Sequence, residues 1–456
     1  MQAKFKKEFN VRTLIEGGVV YEHFMPHTSK KFEIIESLDK HVMRLIINFV
    51  SMGESFRNHF EPINLIADYY GEKYALYLAF ILHHIGWISI QAVAGSAVWI
   101  LHLVLGAKNQ EEGTTYFISY LQNVDTPVNY FYILFTSLWS TFYVESWKRK
   151  QATIQYLWGL NEKEEQIKKS IKRPQRGNEY IYDEQRGEVY KTVMGENPCN
   201  TCCTNGLIII LFSSLAIVAA VACVELVDVI EFDEGDVEMK TWWITFTVFL
   251  NSVVVAILSK FFSSVVQYIV DRENHGQDQQ HEESLITKSL IVSSFISFGG
   301  LFLAAYWERS FWRVNLLMMF LIIFKQILLN AIESCQPNRI YPKRFAAHQK
   351  KFKPHCRKYP NDYEQFSMRQ QHFEAEQQLL MGEMEATKTE NYNELFIEYG
   401  WMVLFPPAFP AAALIAILSN YLQYKTERES ILKFARRCEP RSAIDIGSWI
   451  NYFELI

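Results

Sequence analysis

The chain has 456 residues, of which 49% are hydrophobic and 15% aromatic, yet its mean hydropathy is only −0.04. Intensely apolar stretches must therefore alternate with strongly polar ones, which excludes an average soluble globular domain. The net charge of −5 is too small to indicate a nucleic-acid partner. The sequence contains no nucleophile–base arrangement and no glycine-rich phosphate loop, so an enzyme is not expected.

The N-terminal segment, residues 1–69, starts with a basic and polar stretch. It contains no apolar core followed by a small-residue cleavage site, so a secretory signal peptide is not predicted. Insertion into a membrane must then begin at the first internal span. We expect residues 1–69 to be cytosolic.

Eight apolar segments predict membrane-spanning helices. Leu207–Val224 and Ser289–Tyr306 contain no charged side chain, and each is long enough to cross a hydrocarbon core about 30 Å thick. The predicted spans are Tyr74–Leu105, Val128–Val144, Leu207–Leu226, Trp242–Val270, Ser289–Tyr306, Val314–Ser334, Leu395–Phe405 and Ala408–Leu422. The seventh is short, and Pro406, Pro407 and Pro410 force a turn before the eighth. The predicted fold class is an all-α, polytopic helical membrane protein.

The charges of the loops predict the topology, because Lys and Arg are retained on the cytoplasmic side. The loops 145–204 and 336–392 are rich in Lys and Arg and are predicted to be cytosolic. The loop after the third span holds six acidic residues between Asp228 and Glu238, which fits the opposite side. An even number of spans places both termini in the cytosol, at the plasma membrane or at an intracellular membrane.

The only cluster among the seven cysteines is Cys199, Cys202 and Cys203, just before the third span. A zinc site would need a fourth ligand, and no further CxxC or HxxxH motif lies nearby. Reversible acylation beside the membrane, or no role at all, is the expectation for this cluster.

Polar side chains gather on the last three predicted spans. They are Lys325, Gln326, Asn330 and Glu333 on the sixth span, Asn391, Glu394 and Glu398 on the seventh, and Gln423 and Glu427 on the eighth. Acids inside a membrane are candidates for function, and oxygen ligands that converge from three helices suit calcium. The alternative is that these acids lie at cytosolic helix ends, in contact with water and loop lysines.

Several small polar residues also lie on the fourth and fifth predicted spans. They are Ser263, Ser264, Gln267, Ser289, Ser293 and Ser294. They form either a hydrophilic track for lipid headgroups or contacts that hold the helices together.

Several segments resemble motifs of the anoctamin family and occur in the family's order. They are Gly18–Val20 with Phe24–His27, Tyr70–Tyr77 (YGEKYALY), Glu145–Gln151 (ESWKRKQ) with Tyr156–Gly159 (YLWG), and Arg441–Trp449 (RSAIDIGSW). The resemblance implies that residues 70–435 form most of an anoctamin-like domain of ten helices, and that residues 436–456 precede a ninth span. Because the family has ten spans and its last span forms much of the dimer interface, we expect either a fragment, whose full-length form is a homodimer, or a truncated form that assembles differently, and we favour the fragment.

The resemblance also implies a calcium site on the sixth to eighth spans. Asn330, Glu394 and Glu427 match the family's ligands, and Glu333 lies one residue early. Asn391 and Gln423 stand where the family usually has carboxylates. Fewer carboxylates predict weaker binding of Ca²⁺, which Glu398 would partly offset.

The implied function is passive, calcium-regulated transport of chloride or other anions, of phospholipids, or of both, along a groove built from the third to seventh spans. Lys325 and Gln326 resemble a Lys-Gln pair that borders the conduction path, and a lysine there would attract an anion. The alternative is that Lys325 extends toward the lipid headgroups. Phe324 replaces the family's flexible glycine. The alternative is a non-transporting membrane scaffold or tether with an eroded calcium site.

Overall fold

The computed structural model describes residues 61–110, 116–160, 162, 179–183, 188–192, 205–211, 214, 215, 218, 222, 237–273, 275, 277–324, 389–429, 437 and 440–456. The helices are α1 (Glu61–Tyr70), α2 (Glu72–Lys108), α3 (Tyr116–Gln122), α4 (Val128–Trp158), α5 (Val237–Arg272), α6 (Asp278–Phe302), α7 (Phe311–Leu321), α8 (Thr389–Leu404), α9 (Ala412–Glu429) and α10 (Trp449–Leu455). A π-helical turn, Leu303–Trp307, follows α6 directly.

Three described helical segments are apolar and long enough to cross a membrane. They are Glu72–Lys108, Met239–Arg272 and Asp278–Trp307, and Phe311–Phe324 is a shorter apolar helix. These helices confirm the predicted fold class of a helical membrane protein. The number of eight spans stays a prediction, because the predicted third and sixth spans lie partly outside the described residues.

The predicted cytosolic loop 145–204 contains structure that the sequence analysis did not anticipate. Helix α4 continues through the first part of it, to Trp158. Gly159 ends this helix in the left-handed region, with φ of 63°, where glycine has no steric penalty. Further on, β1 (Glu179–Asp183) and β2 (Glu188–Thr192) form an antiparallel hairpin.

Helix α4 has one exposed apolar face and one face that packs on the rest of the protein. Its outward side chains are apolar and between 56% and 75% exposed, namely Phe131, Leu134, Leu138 and Phe142. Its inward side chains are large aromatics, namely Tyr132, Trp139, Tyr143 and Trp147. A run of exposed apolar side chains this long indicates that this face of the helix contacts lipid rather than water.

Helix α2 lies in the middle of the bundle. It has 37 residues and no charged side chain from Tyr74 to Ala107. At 1.5 Å per residue it is about 55 Å long, which exceeds the thickness of the hydrocarbon core, so it must tilt or extend into the aqueous phase. It contacts α1, α3, α4 and α9.

Glycines bring other backbones directly against α2. A Cβ at Gly106 would lie 2.9 Å from the Cα of Tyr120 on α3, and a Cβ at Gly71 would lie 2.6 Å from the backbone nitrogen of Arg441. Gly71 also has φ of 95°, and the next turn is fixed by a 3.0 Å hydrogen bond from the Lys73 amide to the Arg441 carbonyl. Two of the motifs quoted above, separated by most of the chain, are therefore in contact.

Short helix α10 packs on an aromatic cluster. The Phe453 ring lies 5.2–5.5 Å from those of Phe80, Phe396 and Tyr399. Trp449 stacks on Tyr392 at 5.6 Å. Aromatic pairs at these separations add about 0.5–1.5 kcal/mol each beyond their buried area, so α10 is held firmly against α2 and α8.

The turn between α5 and α6 is held by a half-buried carboxylate, Glu273. Burial raises the pKa of Glu273, but hydrogen bonds from His275, Lys288, Asn205 and Ser284 outweigh burial and hold the pKa well below its usual value. Lys288 Nζ lies 2.5 Å from the carboxylate. The ion pair joins the two helices because Lys288 belongs to α6.

Helix α2 offers a matched pair of glycines for a test of packing. A Cβ at Gly95 would collide with the Pro410 carbonyl oxygen, whereas a Cβ at Gly86 would meet nothing within 4 Å. We expect Gly95→Ala to destabilise the protein by about 1–3 kcal/mol through overpacking, and Gly86→Ala to be neutral or to stabilise it by up to about 1 kcal/mol. Both effects can be measured as shifts in the thermal unfolding midpoint of the purified chain in detergent. Equal midpoints for the two variants would contradict this packing of α2 on the Pro410 turn.

Candidate functional site

The structure describes five of the nine residues predicted to form the calcium site and the pathway. These are Asn391, Glu394 and Glu398 on α8, and Gln423 and Glu427 on α9. The other four, Lys325, Gln326, Asn330 and Glu333, lie outside the described residues, and their assignments stay predictions.

Two of the predicted ligands are in direct contact. Asn391 Nδ2 donates a hydrogen bond of 2.6 Å to Glu427 Oε1. The same carboxylate oxygen accepts a hydrogen bond of 2.6 Å from the hydroxyl of Tyr77 on α2, and Asn391 also donates to that hydroxyl at 2.8 Å. This cluster joins α2, α8 and α9 at the predicted cytosolic end of the bundle.

The sequence analysis missed Tyr77. Tyr77 is fully buried and lies 350 positions before Glu427 in the chain. The available signal was its position within the Tyr70–Tyr77 motif, at the start of a long apolar span. An aromatic side chain there is indistinguishable by sequence alone from ordinary core packing.

Glu398 lies about two helical turns beyond Asn391 on α8 and contacts another partner. The carboxyl is only 4% exposed, and its Oε1 accepts a hydrogen bond of 2.8 Å from Asn420 Nδ2 on α9. Asn420 is 1% exposed. Glu398 and Asn420 thus form a buried polar pair that links α8 and α9. The Oε1 atom of Glu398 contacts Asn420 and not the Glu427 cluster.

Glu394 faces a different space, a cleft between α5, α6 and α8. The cleft has a volume of about 50 Å³. Its polar lining consists of Ser259, Lys260, Ser263, Ser289, Ser293, Glu390, Asn393 and Glu394. Ser293 donates a hydrogen bond of 2.8 Å to Asn393 Oδ1, and Ser263 donates to Glu390. Three members of the predicted serine track therefore line one cleft.

The remaining members of that track lie elsewhere. Ser264 and Gln267 are exposed on α5, and neither belongs to the described lining of the cleft. Ser294 instead lines an apolar groove of about 520 Å³ on the adjacent side of α6, with Phe298, Phe302 and Trp307. The track thus divides into a polar cleft and an apolar groove on neighbouring faces of α6.

Lys260 is a lining residue that the sequence analysis did not single out. It is the only Lys, Arg, Asp or Glu from Thr241 to Val270 in α5. An isolated charge inside an apolar span is expensive and marks a functional position by default, so this signal was available. In the cleft Lys260 supplies positive charge beside Glu390 and Glu394.

The described residues meet only part of the requirement for calcium. Carboxylate and amide oxygens are suitable donors, but Asn391 uses its nitrogen in the contacts above. Among the described residues, no group of three or more His, Cys, Asp or Glu is close enough to hold a metal ion. A complete shell would need donors from residues 325–388 as well.

A family model described as "Anoctamin: Calcium-activated chloride channel" matches residues 66–456. Mouse Anoctamin-10 is 22% identical over 97% of this chain, human Anoctamin-1 is 23% identical over 98%, and human Anoctamin-5 is 22% identical over 97%. The chain spans 61%, 54% and 55% of the lengths of these three proteins.

The matched residues include α1 to α10 almost completely, together with the Glu427 cluster and the cleft. The family resemblance seen in the ordered motifs is thereby confirmed. The family model covers well over half of the chain. This chain belongs to the anoctamin family.

Proposed function

We propose that the chain carries out passive transmembrane transport of small anions such as chloride, and that calcium regulates this transport. Membership of a family whose model is described as a calcium-activated chloride channel supports the class of function. The observation that carries the proposal is the polar cleft between α5, α6 and α8, in which serine hydroxyls and Lys260 lie on the wall together with Glu390 and Glu394.

The size of the cleft favours ions over lipids in this conformation. A cavity volume of about 50 Å³ holds a few water molecules, because one water needs at least about 10–15 Å³ of such space. A small, partly dehydrated anion fits such a space, but a phospholipid headgroup does not. Serine hydroxyls and the Lys260 ammonium would replace part of the hydration shell of the anion.

Phospholipid transport is a second candidate, which the apolar groove on α6 supports. The groove is about ten times larger than the cleft and lies directly beside it, since Ser293 lines one and Ser294 the other. A headgroup in a widened cleft with its acyl chain along Phe298 and Phe302 would cross the membrane at this position. This mode requires the cleft to open.

Calcium, when bound, would supply positive charge that offsets the carboxylates of Glu394, Glu427 and Glu333. Asn391 and Gln423 in place of carboxylates reduce the negative charge of the site, which predicts weaker binding than a site with a full set of acids. Glu427 is held ready by Tyr77 and Asn391, which fix its Oε1 before an ion arrives.

Neighbouring serines on α5 provide a test of the transport pathway. Ser263 lines the cleft, whereas Ser264 is exposed outside its described lining. We expect Ser263→Leu to lower chloride flux at least about tenfold, because an apolar side chain in a narrow pathway raises the barrier to an ion. Ser264→Leu should leave flux nearly unchanged. Chloride efflux from vesicles that contain the purified chain, with and without calcium, measures both variants.

Fluorescent phospholipid in the same vesicles reports scrambling in parallel. If wild-type vesicles pass neither chloride nor lipid at any calcium concentration, the chain is a scaffold or tether and the proposal is wrong. Equal effects of the two leucine variants would place the pathway outside the cleft.

Two pairs of substitutions should shift the calcium concentration needed for activation in opposite directions. We expect Glu394→Gln and Glu427→Gln to shift activation to calcium concentrations about tenfold higher, because each removes a charged ligand. Asn391→Glu and Gln423→Glu should shift it lower, because each restores an acid. A general loss of folding imitates the first pair but not the second. The test is to measure flux as a function of calcium concentration in all four variants. If the calcium response is unchanged in all four, calcium does not regulate the chain through these residues.

The contact between Asn391 and Glu427 allows a test that needs no transport. Asn391→Asp replaces a hydrogen-bond donor 2.6 Å from the Glu427 oxygen by a second carboxylate. We expect the thermal midpoint to fall in the absence of calcium, through repulsion of like charges, and to recover when millimolar calcium is added. Asn64→Asp is the control, since Asn64 uses only its oxygen, in a bond from Trp158 at 2.8 Å. A midpoint of Asn391→Asp that does not respond to calcium would argue against ligation at Glu427.

A further inference from the structure

A second polar cavity lies at the N-terminal ends of α2, α6 and α8, closed on one side by residues 441–451. Its volume is about 340 Å³, within the range of small-molecule sites. Its walls include Ile286, Tyr392 and Ile446. The cavity is thus separate from the cleft at Glu394, and its size suits an organic molecule rather than a single ion.

The charged lining of this cavity has an excess of acids. The charged residues are Lys73, Asp278, Glu282, Glu283, Arg441 and Asp445. Lys73 pairs with Glu282 at 2.6 Å, and Arg441 pairs with Asp278 at 3.0 Å. Both basic side chains are therefore neutralised within the wall, and the carboxylates of Glu283 and Asp445 remain as two negative charges without a cationic partner in the described structure.

Tyr392 is a polar side chain of the wall whose hydroxyl makes no hydrogen bond to the residues that the structure describes. Its side chain is only 5% exposed, and its ring stacks on Trp449. The hydroxyl makes no hydrogen bond within the described part of the chain, although the residue lines the cavity. A phenolic oxygen in this position can accept a hydrogen bond from an ammonium group.

The placement of the two unpaired acids favours an organic cation over a metal ion. A calcium ion needs six to eight oxygens at 2.3–2.6 Å, as a rule from several convergent carboxylates. No group of three or more acids, histidines or cysteines among the described residues lies close enough to hold a metal ion. Glu283 on α6 and Asp445 in segment 441–451 belong to different walls of the cavity, and isoleucine side chains also line it, so the cavity matches two ammonium groups joined by an apolar linker.

We propose that this cavity binds a small organic dication, such as an alkyl diamine, with one ammonium group at Glu283 and the other at Asp445, beside the Tyr392 hydroxyl. Isoleucine side chains of the wall would contact the methylene groups between the two charges. The proposal does not rest on the transport activity proposed above, because it concerns binding alone.

Calorimetric titration of the purified full chain in detergent with 1,4-diaminobutane tests the site. We expect the diamine to bind at least about fivefold more tightly than n-butylamine, because the second ammonium group gains a second charge pair. Glu283→Gln and Asp445→Asn should each weaken diamine binding about fivefold. Both variants keep an oxygen acceptor, for Gln279 at 2.9 Å and for the Gly447 amide at 2.8 Å, so the local structure is preserved.

Two further variants separate binding from folding. Tyr392→Phe keeps the ring that stacks on Trp449 and removes only the hydroxyl, and we expect a loss of affinity of about threefold. Asp68→Asn removes one exposed acid outside the cavity lining and should bind the diamine as the wild type does.

Competition identifies the chemistry of the occupant. Displacement of the diamine by calcium at a lower concentration would reveal a metal site, and displacement by O-phosphoethanolamine at a lower concentration would reveal a headgroup site. Either result overturns the proposal. So does a wild type that binds diamine no better than n-butylamine, or a Glu283→Gln/Asp445→Asn double variant that binds as the wild type does.

Discussion

The arrangement of the bundle depends on how closely other backbones approach α2. At Gly71, Gly95 and Gly106 the absence of a Cβ lets segment 440–441, the Pro410 turn and α3 lie directly against this helix. Lipid offers no hydrophobic force that draws helices together, so close van der Waals contact at small residues has to supply much of the attraction. The positions of α3, α9 and the segment before α10 are therefore set by α2.

The same contacts bring polar groups together in a medium of low dielectric constant. Tyr77 on α2 reaches Glu427 only because α9 is held against α2. A buried carboxylate without hydrogen bonds costs several kcal/mol, so each acid in the bundle stabilises one helix arrangement through its partner. Tyr392 lies next to two of these polar regions. Its ring contacts Tyr77 at 5.1 Å in the Glu427 cluster, and its side chain also lines the second cavity.

Much of the fold was predictable from the sequence, because apolar length and proline position act locally. The spans that became α2, α5 and α6, and the turn at Pro406, Pro407 and Pro410, depend only on neighbouring residues. Contacts between distant residues were not predictable in this way. Tyr77 and Asn420 are ordinary core residues until the fold places them beside Glu427 and Glu398. The hairpin β1–β2 was missed because its segment reads as a charged loop, whereas Lys260 was visible in the sequence and overlooked.

The buried pair of Glu398 and Asn420 fixes the register of α8 against α9. A slide of α9 by one turn would place Ala416 or Tyr424 opposite Glu398, and neither side chain offers the amide that now satisfies this carboxyl. A carboxyl left opposite Ala416 would cost several kcal/mol, far more than thermal energy, and Tyr424 would have to fit a ring into the space of an asparagine. The two helices must then move as one rigid hairpin. Because α9 is also held against α2, the surfaces where this hairpin meets α5 and α6 have the most freedom to change, and these are the walls of the cleft at Glu394.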